Sequence, residues 1–146
     1  MSDIHIIKLA VGVEDLAHFK KIQERETFDY HGRDAVPCWT RHMPKRGDEI
    51  LKKEGSIYRV IKNRIMCRHK ILGFEIIEDT PKGRMCMIVQ DAQMIETIHM
   101  PRRAFQGWRY LKGAEAPDDK GVYTGRDDSD AIPDDLAEEL KEAGII

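Results

Sequence analysis

Branched apolar residues fill positions 4–11 (Ile-His-Ile-Ile-Lys-Leu-Ala-Val) up to Gly12, which predicts a first strand. The period then lengthens. Leu16, Phe19 and Ile22 recur at three-residue steps with Lys20, Lys21, Glu24 and Arg25 outside, the pattern of an amphipathic helix over 14–26. Residues 27–43 show neither period and contain Gly32 and Pro37, so they read as a long loop delivering Cys38-Trp39-Thr40-Arg41-His42-Met43. Pro44 and Gly55 bracket a short helix over 45–53, with a turn entering a strand at 48–51 as the alternative because Gly47 disfavours helix. Strands follow at 56–62 and 64–78 around Asn63, with Gly73 a candidate bulge. The turn Thr80-Pro81-Lys82-Gly83 leads to a strand at 84–90, and another is predicted at 94–99. Residues 105–111 read as a helical turn. From Ala114 to Asp130 the chain is polar and acidic, the composition of a linker. Pro133-Asp134-Asp135-Leu136 then opens a short helix that Gly144 closes. Strands that succeed one another without long helices predict an α+β fold: a small, mostly antiparallel sheet or partly open barrel, a few short helices and an acidic C-terminal tail helix.

Length and charge divide this picture in two. With 146 residues the chain fits one domain, and 41% hydrophobic residues exclude a disordered or fibrous chain. The net charge of −2 is a cancellation: residues 1–113 carry 21 Lys+Arg against 15 Asp+Glu, and residues 114–146 carry 3 against 11. A basic α+β domain over 1–113 is thus followed by an acidic linker and short helix over 114–146. The N-terminus has no secretory pattern, and no apolar run approaches the roughly 20 residues of a membrane span. Cys38, Cys67 and Cys86 are odd in number and lack paired spacing, which suits a reducing cytoplasm.

Known catalytic signatures are scarce. The serines, Ser2, Ser56 and Ser129, lie in no nucleophile elbow, and there is no P-loop or dinucleotide-binding glycine motif. Cys38, His42, Cys67 and His69 offer a zinc-type ligand set, but without a C-x-x-C knuckle. The plainer reading puts Ile65, Cys67, His69 and Ile71 on a core-facing strand side. No metal or cofactor is called for.

Basic residues are the strongest chemical signal. Residues 41–70 hold ten Lys+Arg against three acids. On the strand from 64 to 70, Arg64, Met66, Arg68 and Lys70 are expected to share one face, a stripe suited to a phosphate backbone. Arg41, His42, Lys45 and Arg46 precede it. Arg102, Arg103 and Arg109 form a second cluster around Phe105-Gln106-Gly107-Trp108. Trp39 and Trp108 are the candidates for stacking on unpaired bases. The opposing expectation is a solvated face with Phe105 and Trp108 as buried anchors.

Three segments carry a resemblance: Thr40-Arg41-His42-Met43-Pro44-Lys45-Arg46, Gly55-Ser56-Ile57-Tyr58-Arg59-Val60-Ile61-Lys62, and Arg102-Arg103-Ala104-Phe105-Gln106-Gly107-Trp108-Arg109-Tyr110-Leu111. They resemble an uncharacterised alphaproteobacterial domain-of-unknown-function family of small cytosolic proteins, and the likeness spans nearly the whole chain. A looser similarity, at fold level, is to pseudouridine-synthase-and-archaeosine-transglycosylase-like barrels, which implies binding of RNA or modified bases.

These readings converge on a non-enzymatic module whose basic face binds RNA or another polyanion. Trp39, Arg41, His42, Lys45, Arg46, Arg64, Arg68, Lys70, Arg102, Arg103, Trp108 and Arg109 are its expected contacts. The acidic tail is expected to fold back as a phosphate mimic or to support self-association. The alternative is a small hydrolase or transferase acting on an anionic substrate, with His42 as base and Arg41 and Arg109 as clamps; it requires the three to converge on one pocket.

Overall fold

The structure is a computed structural model that describes residues 4–124. Nine strands, two short helices and one 3-10 turn account for the regular elements among them: β1 (Ile4–Leu9), α1 (Leu16–Glu26), β2 (Phe28–Tyr30), β3 (Arg33–Thr40), α2 (Gly47–Lys52), β4 (Ser56–Ile61), β5 (Arg64–Thr80), β6 (Gly83–Asp91), β7 (Ile95–Pro101), β8 (Trp108–Lys112) and β9 (Asp119–Val122). The strands form an open mixed sheet ordered β2-β3-β6-β5-β4-β1-β8, with β7 on β5 and β9 on β7. The partly open barrel is not what the chain builds, because the sheet does not close on itself. Antiparallel pairing dominates as expected. The exception is the parallel pair β1 and β4, which a crossover through α1, the β2–β3 hairpin and α2 makes possible. No helix among the described residues is long and apolar enough to cross a membrane.

Asp15 caps α1 by accepting the His18 amide N–H at 2.8 Å, so the helix starts two residues after the periodic pattern does. Leu16, Phe19 and Gln23 are its buried positions. The short helix over 45–53 forms as α2. The loop expected over 27–43 is instead a β-hairpin. Its turn places His31 and Gly32 at positive φ (52° and 84°), the geometry of a tight two-residue connection, and only the glycine advertises it. Pro37 is tolerated in β3 because β2 pairs only as far as Ala35, so beyond it β3 has β6 as its single neighbour. The helical turn expected over 105–111 is also a strand: β8 lies antiparallel to β1, with Trp108 and Tyr110 toward one core cluster and Leu111 in another. Part of the expected linker is ordered too, since β9 extends the sheet beside β7. The tail helix expected over 133–144 lies outside the described residues.

β5 is the longest element, and its two halves have different neighbours. Residues 64–70 pair with β4, and residues 71–80 pair with β6. A bulge at Gly73 marks the transition, as the sequence suggested. A side chain at Gly73 would collide with the Tyr30 hydroxyl, which donates to Glu75 at 2.7 Å, so the close approach requires glycine. Gly55 is fixed similarly: a Cβ there would run into the Ile4 carbonyl oxygen and Ile50.

β4 is buried along all six residues. Its Ile57 belongs to a core cluster with Ile6, Ile50 and Ile88, and its Ile61 to another with Phe19, Cys67 and Met94. Alternation puts Arg59 on the same face, between the two clusters. A guanidinium therefore sits where the strand pattern calls for a hydrocarbon.

Candidate functional site

The basic stripe on β5 is interrupted. Register shifts between Ile65 and Cys67, against β4 and β7 alike, insert a bulge at Met66. Arg64 pairs with Ile61 whereas Arg68 pairs with Tyr58, and these two β4 residues face opposite sides. Arg64 and Met66 thus do not continue the row of Arg68 and Lys70, and Ile65 leaves the face of Cys67. A one-residue bulge flips every side chain beyond it.

The cations that remain on the outer face are matched by acids. Arg68 donates through Nε and Nη2 to Asp119 at 2.8 and 2.7 Å, and through Nη1 to Ser56 Oγ at 2.8 Å. This hydrogen-bonded pair holds the Asp119 carboxyl below the usual carboxylate range and the Arg68 guanidinium above its ordinary value. Lys70 reaches Glu54 at 3.0 Å. Both basic residues line a polar cleft of about 550 Å3 with His5, Ser56, Tyr58, Asp118 and Asp119. The cleft brings its own counter-charges, so it offers little net attraction to an anion.

Among the other sequence-predicted residues, Arg46 makes a two-point bond to Glu49 at 2.9 and 2.8 Å and stands over the Tyr110 ring. Arg41 donates to the Lys82 carbonyl at 3.4 Å, and His42 and Lys45 are exposed between β3 and α2. Arg102 and Arg109 both approach the Phe105 ring, at 5.4 and 4.4 Å from its centroid, with Arg103 exposed beside them. Arg41 thus contacts the β5–β6 turn whereas Arg109 packs on the Phe105 ring. Trp108 is half-buried, edge-on to Tyr110 at 5.0 Å, and packs against a core cluster. Trp39 is 41% exposed. The described residues contain no group of three or more metal-ligating side chains, so Cys38, His42, Cys67 and His69 do not assemble a zinc site. Burial pushes the Cys67 thiol up to about 12, and it stays protonated at neutral pH.

The best-built feature is a cavity of about 200 Å3 between α1, β1, β3 and β4. Lys8, Phe19, Gln23, Cys38, Trp39 and Arg59 line it, with Leu9, Val11 and Pro37 supplying apolar wall and Glu26 at the rim. Lys8 and Arg59 are direct cross-strand partners in the parallel pair, so their side chains leave the sheet on the same side. Arg59 is only 7% exposed, yet no carboxylate among the described residues pairs with it. Its contacts are long ones to neutral groups: Nη2 to the Leu9 carbonyl at 3.3 Å, and Nη1 to Gln90 Oε1 at 3.4 Å and Cys38 Sγ at 3.8 Å. Its Nε–H is buried without an acceptor. The Gln90 amide nitrogen is spent on the Val36 and Pro37 carbonyls, which turns the amide oxygen toward the guanidinium.

Two aromatic rings complete the setting. The guanidinium carbon lies 5.0 Å from the Phe19 centroid, a cation–π contact. Phe19 also meets His69 edge-on at 6.1 Å. His69 is fully buried, with Nδ1 2.8 Å from the Asp91 carbonyl oxygen. A carbonyl can only accept, so Nδ1 carries the proton. Burial lowers the His69 pKa to about 4, and the nearby Arg59 charge pushes in the same direction, so the ring is neutral at pH 7.

Lys8, Leu9 and Val11 wall a second cavity as well, of about 320 Å3, whose other side is Ala104, Phe105, Gln106 and Gly107. The end of β1 is therefore a shared partition, with the Arg59 cavity on one side and the loop of residues 104–107 on the other. Nothing local in the sequence joins these distant segments. Arg59, which is not among the expected contacts, does carry one local signal: it is the lone charge within Ile57-Tyr58-Arg59-Val60-Ile61. Lys8 in Ile-Ile-Lys-Leu carries a weaker form of the same signal.

Residues 6–146 match the model of a family described as proteins of unknown function (DUF1489), and the chain belongs to that family. No curated protein and no solved structure matches it.

Proposed function

We propose that this DUF1489 protein is a non-enzymatic nucleic-acid-binding module of the cytoplasm, with single-stranded RNA as its ligand. The observation that carries the reading is the shared partition at the end of β1. It sets two cations, Lys8 and Arg59, beside the loop of residues 104–107 that Arg102, Arg103 and Arg109 flank, and the exposed indole of Trp39 lies on the other face of β3 from Cys38. In this reading Trp39 stacks an unpaired base, and Arg102, Arg103 and Arg109 contact phosphates beyond Lys8. Arg41, His42 and Lys45 extend the path on the far side of Trp39. Arg46, Arg68 and Lys70 hold internal carboxylates and contribute little. A single strand suits this edge because stacking needs bases that are not already paired.

Fluorescence anisotropy with a labelled single-stranded RNA at two salt concentrations tests this. Binding that weakens steeply as salt rises supports the proposal. Absence of binding at low salt, or affinity indifferent to salt, overturns it. The acidic segment beyond residue 124 would act as a competitor for the same face, so its removal should tighten binding.

A further inference from the structure

We propose that the cavity around Arg59 is a phosphate site, receiving a phosphomonoester group between Arg59 and Lys8. Burying a guanidinium is costly unless an anion or a full set of acceptors compensates it. Arg59 has neither: its acceptors are neutral and long, and its Nε–H has none. Arg68, half-buried on the next strand, is by contrast matched by a carboxylate, that of Asp119.

The surroundings narrow the ligand. At about 200 Å3 the cavity falls below the roughly 300 Å3 of pockets that take drug-sized molecules, so it suits a small charged group with part of its attachment outside. Two cations emerge side by side from β1 and β4. A phosphomonoester carries between one and two negative charges at neutral pH and has three acceptor oxygens, which matches Lys8 and Arg59 better than a single carboxylate would. Glu26 is the acid lining the cavity and lies exposed at the end of α1.

Such a group could come from the phosphorylated end of an RNA strand or from a free mononucleotide, and the chemistry at Arg59 is the same. The RNA source rests on the function proposed above, whereas the mononucleotide source does not. Isothermal titration of the full-length protein with adenosine monophosphate, adenosine and inorganic phosphate is the first arm. Anisotropy with one RNA sequence, with and without a 5′-phosphate, is the second. The site is supported if adenosine monophosphate binds and adenosine does not, or if the 5′-phosphate tightens RNA binding at least tenfold.

In either case Arg59→Met should abolish the phosphate-dependent part and Lys8→Gln should weaken it about tenfold, while Arg84→Ala changes nothing. If Arg59→Met fails to fold, Lys8→Gln together with Arg59→Lys carries the same test. Binding of the mononucleotide without RNA binding supports the site and removes the RNA function. RNA binding indifferent to both the 5′-phosphate and Arg59 keeps that function and overturns the site. Failure of every phosphate-bearing probe to bind overturns the site as well.

Discussion

Arg68 and Arg59 lie in neighbouring rows of one sheet, and they show two ways of placing a cation. Arg68 opens on a cleft and is clasped at two points by Asp119. Arg59 points inward and is surrounded by a carbonyl, an amide, a thiol and a phenyl ring. In sequence they are equal contributors to a basic segment. In the folded chain the first is already neutralised and the second retains its full charge. Counting charges along a chain measures supply, whereas the availability of a charge depends on what the fold sets opposite it.

Substitutions at the inner site should have the largest consequences. Arg59→Ala removes the packed stem as well as the charge, and its expected cost is about 3 kcal/mol in urea denaturation, in the range of large-to-small changes in a core. Arg59→Met keeps the stem and relieves the buried charge, so the stability of the ligand-free protein should stay within about 1 kcal/mol of the original. If both variants lose stability equally, the charge is satisfied in a way the hydrogen bonds do not show, and the contrast with Arg68 collapses.

Acidification separates the two regions next. The folded-state pKa of His69 lies near 4, below its ordinary value of 6.5. Between those two pH values the unfolded chain binds the extra proton and the folded chain does not, so stability must fall as pH drops through this window. His69→Gln should flatten that part of the pH dependence of the urea midpoint; an unchanged slope would mean that His69 is not buried neutral. Asp119 behaves differently. Its folded pKa is depressed from 3.8, so its stabilisation is present above that value and is lost only at lower pH.

Smaller effects are expected on the outer face. Asp119→Asn should cost roughly 1 kcal/mol, since the pair is well aligned but partly exposed. Lys70→Ala, which breaks the exposed contact with Glu54, should leave the melting temperature within measurement error. A large loss there would show that the cleft is held together by charge rather than by the strands beneath it.

Much of this architecture was legible because it follows period and punctuation. The α1 stripe at Leu16 and Phe19, the bulge at Gly73 and the Lys62-Asn63 turn all leave local marks. The β2–β3 hairpin left almost none: β2 is three residues long, its turn uses a histidine at positive φ, and Pro37 argues against strand unless one knows that β3 runs beyond its partner. Residues 105–111 read locally as a helical turn, and it is the edge offered by β1 that makes Trp108 to Lys112 a strand. The site was less legible still. The chain does not mark the bulge at Met66 that separates Arg64 from Arg68. The partition that sets Lys8 between the Arg59 cavity and the Phe105 loop depends on strands far apart in sequence.

β5 gives its inner half to one set of neighbours and its outer half to another, so neither half of the sheet has a complete edge without it. Pulling away either half exposes the backbone of the strand both depend on, and neither can open alone at small cost. Amide exchange along residues 65–77 should therefore report one shared opening energy close to that of global unfolding. The two cavities at the end of β1 then rest on a cooperative frame, and a ligand held by one strengthens the walls of both.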